Sequence, residues 1–278
     1  MALGFVLHSA AVLAPGVSSL AELLALRAKR RPDVAQALVL PSPAVLPANE
    51  RRRASLVVRL VLTCAAQALA AGRYAPEELR CVFASDEGTG EVCQQMLEAL
   101  VTSGQLSPLL FHNSVHNAPA GYVSIAYQNH LPAVSVSMGR ESFAAGLLCA
   151  VSEACTSGQP VLFLVYDAPL PEPMRALLPI EQATASAWII ESVPEAAGNH
   201  TAVHSQARLS LGRFELSLHA AGECGDTAPS WLPAAWAANS SARAFEVLAL
   251  LADGRGSCEF PLGAQHVRVV LLEGATAC

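Results

Sequence analysis

Short apolar runs alternate with helical patterns along the middle of this chain, and that alternation limits what it can become. Cys81–Ala84, Ala133–Val136 and Val161–Tyr166 read as strands. Between them, helices are expected from about Glu91 to Leu100 and from Ser142 to Cys155. Strands alternating with helices give an α/β layered fold. Upstream, residues 4–13 read as a strand closed by Pro15-Gly16, and Ser18 or Ser19 caps a helix through about Arg30. A Pro- and Ala-rich loop covers 31–49. A long helix follows from Asn49 to about Ala71, with apolar residues at 56, 57, 60, 61, 64, 65, 68 and 69 on one wide stripe. A loop and a helix are expected over 107–128, strands over Ala185–Glu191 and Ala207–Leu216, a helix over Ala234–Leu251 and a last strand over Val267–Leu272. The change after Pro194 to loops and β-like segments marks a smaller second portion.

Composition narrows the function. The chain has 278 residues, enough for one large domain or two small ones, with 53% hydrophobic and only 14% charged residues. That excludes a disordered chain and leaves a surface short of charge, as expected where a partner covers apolar area. A net charge of −6 and 5% aromatics exclude a basic or base-stacking nucleic-acid surface. The best apolar stretch, Ser55–Ala71, contains Arg59 and Gln67 and reads as a buried helix, so no transmembrane segment is expected. No Lys or Arg precedes Arg27, so the start reads as cytoplasmic rather than as a secretory signal. The cysteines at 64, 81, 93, 149, 155, 224, 258 and 278 form no Cys-x-x-Cys pair, and read as reduced, mostly buried thiols. No His/Cys cluster has ligand spacing, so neither metal nor cofactor is expected.

Three segments are candidates for chemistry. Ser85-Asp86-Glu87-Gly88-Thr89-Gly90 lies between a strand and a helix, where phosphates bind, but it carries two carboxylates and no Lys and reads as a tight turn. The run Phe111 to Tyr122 crowds His112, Asn113, Ser114, His116 and Asn117 into an apolar chain. Such residues form a buried hydrogen-bonded network or face a ligand or partner. Val134 to Gly146 reads as strand, sharp turn and helix, a geometry that exposes nucleophiles; Ser137, Arg140, Glu141 and Ser142 are available there, without Cys and without Gly-x-Ser-x-Gly.

These stretches together resemble the β-ketoacyl synthases, which have the thiolase fold. The short branch of β-ketoacyl synthase-like N-terminal domain proteins, or chain-length-factor-like subunits of aryl-polyene and type II polyketide systems, is the nearest in look. The resemblance rests on Arg52-Arg53-Ala54-Ser55, on Phe83 to Glu91, on the specific run Phe111 to Tyr122, on Ser142 to Leu147 and on the tail Ala242 to Gly254. It implies a thiolase-like layered fold, truncated relative to full-length ketosynthases. Residues 1–195 would form the N-terminal-like domain and 196–278 a smaller portion completing the fold.

The departures decide the function implied. Active synthases place a Cys at the elbow, where the helix N-terminus favours the thiolate. Here Arg140, Glu141 and Ser142 occupy that place, and the His/Lys set of a second half has no counterpart motif. The resemblance therefore implies a subunit without catalytic residues or cofactor, paired as a heterodimer with a full-length β-ketoacyl-ACP synthase and meeting acyl carrier protein through that complex. It would shape the acyl tunnel in fatty-acid or polyketide-type biosynthesis. His112, Asn113, Ser114, Val115, His116, Asn117 and Tyr122 would form its partner or tunnel segment, with Val115 and Tyr122 as apolar contacts. The alternatives are an acyltransferase or hydrolase using Ser142 or Ser137, and a non-enzymatic ligand-binding scaffold.

Overall fold

A computed structural model describes residues 2–29, 38, 40–41, 43–193, 210–220 and 231–274. The strands are β1 (Ala2–Leu13), β2 (Arg80–Ala84), β3 (Ala133–Val136), β4 (Val161–Asp167), β5 (Thr184–Ser192), β6 (Gly212–Ala220), β7 (Gly256–Leu262) and β8 (Gln265–Gly274). They form one sheet in the order β3-β2-β4-β5-β1-β6-β8-β7. β3, β2 and β4 run parallel, and every other pairing is antiparallel. The helices are α1 (Leu20–Lys29), α2 (Ala48–Arg53), α3 (Leu56–Ala71), α4 (Gly90–Ser103), α5 (Pro108–Asn113), α6 (Ala118–Tyr127), α7 (Ser142–Ser157), α8 (Ala234–Ala237) and α9 (Arg243–Asp253).

Helices cover both faces of the sheet. β4 is buried along its whole length, as expected of a strand with both faces covered. Its Leu162, Leu164 and Tyr166 join the core under α3 and α6, while Val161, Phe163 and Val165 join the core under α7 and α9. This is the period-2 alternation of a strand. Phe143, Phe163, Trp188 and Phe260 pack edge-on or tilted around α7, with ring centroids between 5.0 and 6.2 Å apart. α7 lies so close to β2 that a Cβ on Gly146 would stand 2.4 Å from Ala84 Cβ.

Several sequence expectations need correction. The helix expected over 49–71 is two helices, because Ser55 is extended and its hydroxyl accepts the Val58 N–H, starting α3 afresh. The helix expected over 234–251 is also broken. Asn239 is extended and its side chain accepts the Ser241 N–H, which sets a 3-10 turn at Ser240–Ala242 before α9. The 107–128 stretch holds two helices, α5 and α6. β7 was not expected: Gly256, Glu259 and Pro261 weaken its alternation, and it forms through the hairpin with β8. The strand expected from Ala207 begins at Gly212 in the described residues; of the loop expected over 31–49, residues 31–37, 39 and 42 lie outside them, and α2 begins within it at Ala48. β6, β8 and β7 continue the sheet begun by the N-terminal strands.

Candidate functional site

The elbow is built at the end of β3. Gly139 takes φ +57, a left-handed conformation suited to glycine, and turns the chain into α7. Ser142 is wholly buried; its hydroxyl accepts the Met138 N–H at 2.9 Å and donates to the Gly139 carbonyl at 2.6 Å. An activated serine needs access and a base in hydrogen-bond reach; this one is engaged twice by its own turn. Ser137 is exposed and donates to the Asp86 carbonyl at 3.3 Å. The Glu141 Oε2 accepts the Gly263 N–H at 2.7 Å from the β7–β8 turn. Arg140 is exposed and lies near Asp86; burial raises the Asp86 carboxyl above its usual range and the Arg140 charge works against that rise.

The 111–122 run divides by direction. Asn113 and Tyr122 are buried and bonded to each other, with the Tyr122 hydroxyl donating to Asn113 Oδ1 at 3.1 Å. Tyr122 therefore belongs to this chain's own core. The Ser114 carbonyl accepts from Thr89 Oγ1 at 2.8 Å. His116 is half-buried against the 85–90 turn, with Nε2 3.5 Å from the Ser85 carbonyl oxygen. His112, Val115 and Asn117 are exposed, as is Phe111 before them. The polar crowding is thus a short inward network, Asn113 to Tyr122 and Ser114 to Thr89, beneath an outward face.

Next to the elbow, the two carboxylates of the 85–90 turn, Asp86 and Glu87, meet a third that sequence reading passed over, Asp167. Asp167, fully buried at the end of β4, accepts Ser85 Oγ at 2.9 Å and the Asp86 N–H at 2.7 Å on one oxygen, and the Ser241 N–H at 3.0 Å on the other. Burial nevertheless raises its carboxyl to about 7. Glu87 accepts the Gly90 N–H at 2.8 Å, and burial, with the Asp167 charge nearby, pushes it up to about 8. The N–H groups of Asp86 and Gly88 are taken by Asp167 and Ser85 Oγ, so the turn is a structural knot and not a phosphate cradle. The available signal was an Asp closing an otherwise apolar strand.

Among the described residues, no group of three His, Cys, Asp or Glu side chains is placed to hold a metal ion. Cys64 and Cys81 are buried free thiols, and Cys93, Cys149, Cys155 and Cys258 are half-buried free thiols. No described helix is long and apolar enough to cross a membrane.

Residues 26–228 match the family model of the β-ketoacyl synthase N-terminal domain. The chain belongs to that family. Its fold is the thiolase-like layered fold of ketosynthases. A chain in the complex of the ketosynthase ApeO with its chain length factor ApeC, from Xenorhabdus doucetiae, matches with a TM-score of 0.70 and 23% identity, over 96% of this chain and 99% of that one. A chain of the ishigamide ketosynthase/chain length factor matches with a TM-score of 0.68 and 15% identity, over 97% and 99%. A ketosynthase of the bacillaene polyketide synthase of Bacillus amyloliquefaciens matches with a TM-score of 0.56 and 13% identity, over 82% of this chain but 47% of its own. The expected truncation therefore holds against that longer synthase and not against the first two chains, which this one spans nearly end to end. At these identities the likeness is one of fold. No curated protein matches the chain.

Proposed function

We propose that this family member is a non-catalytic, chain-length-factor-like subunit that pairs with a full-length β-ketoacyl-ACP synthase. It shapes that enzyme's acyl tunnel and meets acyl carrier protein only through the complex. The observation that carries the pairing is where apolar surface is left uncovered. Of the thirteen exposed large hydrophobic residues among those described, nine fall between Leu97 and Met138. They include Phe111 at 62%, Val115 at 46% and Met138 at 49% exposure. Contiguous exposed apolar area marks an interaction surface, and exposed apolar residues concentrated in one stretch of sequence fit such a surface. Among the described residues β3 lies at the end of the sheet and pairs with β2 alone, which leaves its outer backbone edge without a strand neighbour there, within the same stretch.

The elbow supports the absence of catalysis. Arg140 and Glu141 cannot carry a thioester, and Ser142 is buried with its hydroxyl engaged on both sides. The same burial weighs against a hydrolase or acyltransferase working through Ser142. Chains of similar fold occur in a ketosynthase complex with its chain length factor, which fits the reading. Incubation with acyl-carrier-protein thioesters, followed by intact-mass analysis, tests it. The expected result is no adduct on this chain and an adduct on the partner synthase. An adduct on Ser137 or Ser142 would return the enzyme reading.

A further inference from the structure

His219 on β6 and His266 on β8 stand directly opposite each other in the sheet. Phe214 and Leu216 of β6, with Val267, Val269 and Leu271 of β8, belong to the core under α7 and α9. The period-2 alternation of a strand then sends Ser217, His219, His266 and Arg268 to the other face. Side chains directly opposite in an antiparallel pair have Cβ atoms about 4.5–5.5 Å apart. Two imidazoles on such a pair can share one ion.

Both rings are available to a ligand. His219 is exposed, and its Nε2 lies 2.8 Å from Ser217 Oγ. With Nε2–H donating to that hydroxyl, the His219 lone pair is on Nδ1. Metal-ligating histidines are oriented in this way, by a bond from the ring nitrogen that does not bind the metal. His266 is 9% exposed and its side chain makes no hydrogen bond among the described residues. Neither of its ring nitrogens is a buried atom without a partner, so both reach water. Arg268, two residues along β8 on the same face, is paired with Glu259 of β7 at 3.7 Å. Imidazole nitrogen suits nickel, copper and zinc, whereas magnesium and calcium take oxygen ligands.

We propose that His219 and His266 form a two-imidazole site for a divalent transition-metal cation, on the face of the sheet turned away from α9. The ion bridges β6 and β8, and water completes its coordination. Two protein ligands make the site an exchangeable one, unlike the closed four-ligand site of a structural zinc. It does not depend on the pairing proposed above.

Titration calorimetry with nickel chloride and magnesium chloride tests this on the full-length chain, purified in the assembly it forms. The chain holds eight histidines, so variants are needed to locate the ion. Nickel should bind saturably and magnesium should not. His219→Ala and His266→Ala should each weaken nickel binding at least tenfold, and Ser217→Ala should weaken it less than either. Saturating nickel should raise the thermal midpoint of the unmodified chain, because the ion binds only where the two strands are paired. It should not raise that of His219→Ala, which replaces an exposed side chain and should keep the metal-free midpoint. Absence of saturable nickel binding, or unchanged affinity in either histidine variant, overturns the site. Equal affinity for magnesium overturns the assignment to a transition metal.

Discussion

Glu141, at the start of α7, accepts a 2.7 Å hydrogen bond from the Gly263 N–H, joining the elbow to a hairpin 122 residues later in the chain. The position that resembles the nucleophile elbow of active synthases is thereby a structural tie. Glu141→Ala should lower stability by about 1 kcal/mol, the typical net value of one such bond, and Glu141→Gln should recover most of it. Denaturant midpoints of the three proteins measure this. A silent Glu141→Ala would show that the tie carries no weight.

Ser142 gives a sharper contrast. Because its side chain is buried and its hydroxyl closes the 138–142 turn, Ser142→Ala should cost about 1–2 kcal/mol by leaving the Met138 N–H without its acceptor. Ser142→Cys should not gain acylation from carrier-protein thioesters, since no thioester reaches a side chain with 0% exposure. Mass spectrometry of the Cys variant reads the outcome, and an acyl adduct would mean that the elbow opens.

The carboxylate cluster makes stability depend on pH. Glu87 is raised to about 8 in the folded chain, against an ordinary 4.5, and Asp167 and Glu246 are raised to about 7. The folded state then holds protons that the unfolded chain has released, so stability falls as pH rises through this range. Burial lowers His8 below 6.5, which acts in the opposite sense below that value. From pH 6.5 to 8 the carboxyls therefore govern, and the folding constant should drop by up to roughly tenfold per pH unit for a group held protonated. Glu87→Gln keeps an acceptor for the Gly90 N–H and should flatten the profile between pH 7 and 8. Urea midpoints across that range check it, and an unchanged slope in the variant would remove Glu87 from the account.

Gly88 links that cluster to the 111–122 run. It takes φ +65, and a Cβ there would stand 2.6 Å from His116 Cδ2. Gly88→Ala should therefore destabilise by about 1–2 kcal/mol from the left-handed backbone alone, and further from the contact. In a double-mutant cycle with His116→Ala, the contact part should disappear and the backbone part remain. Additive effects would mean that the ring moves aside freely.

The layered fold was legible because its central strands are continuous apolar runs, as at Val161–Asp167, and its helices α3 and α7 carry clear apolar faces. The breaks at Ser55 and Asn239 were not, because each depends on one side chain capturing a backbone N–H, and helical periodicity runs straight through both. The elbow was legible as a strand-turn-helix pattern. The Asp167 hub was not, since its donors Ser85, Asp86 and Ser241 come from segments distant in sequence. The direction of each residue in the 111–122 run was likewise hidden: Tyr122 turns inward to Asn113 while Val115 stays exposed, a distinction that depends on the packing of α5 and α6.

That exposed face yields the surface prediction. Val115→Asp and Met138→Asp replace residues at 46% and 49% exposure, so neither should shift the thermal midpoint of the isolated chain by more than about 0.5 kcal/mol equivalent. Both should weaken the heterodimer at least tenfold, as expected when a charge is placed in an apolar interface core. His116→Ala and Asn117→Ala should weaken it less or alter product length. Competition between variant and unmodified chains for a tagged partner ranks them. Retention of full affinity by both Asp variants would move the interface elsewhere.

The most direct test of the central claim is light scattering coupled to size exclusion on this chain co-expressed with a full-length β-ketoacyl synthase from the same genome, with the acyl products of the eluted complex measured alongside. The account predicts a one-to-one heterodimer whose product length differs from that of the synthase alone, and whose condensing activity is abolished by removing only the synthase's nucleophile. Separate elution of the two chains, or turnover that survives loss of the synthase's nucleophile, would contradict it.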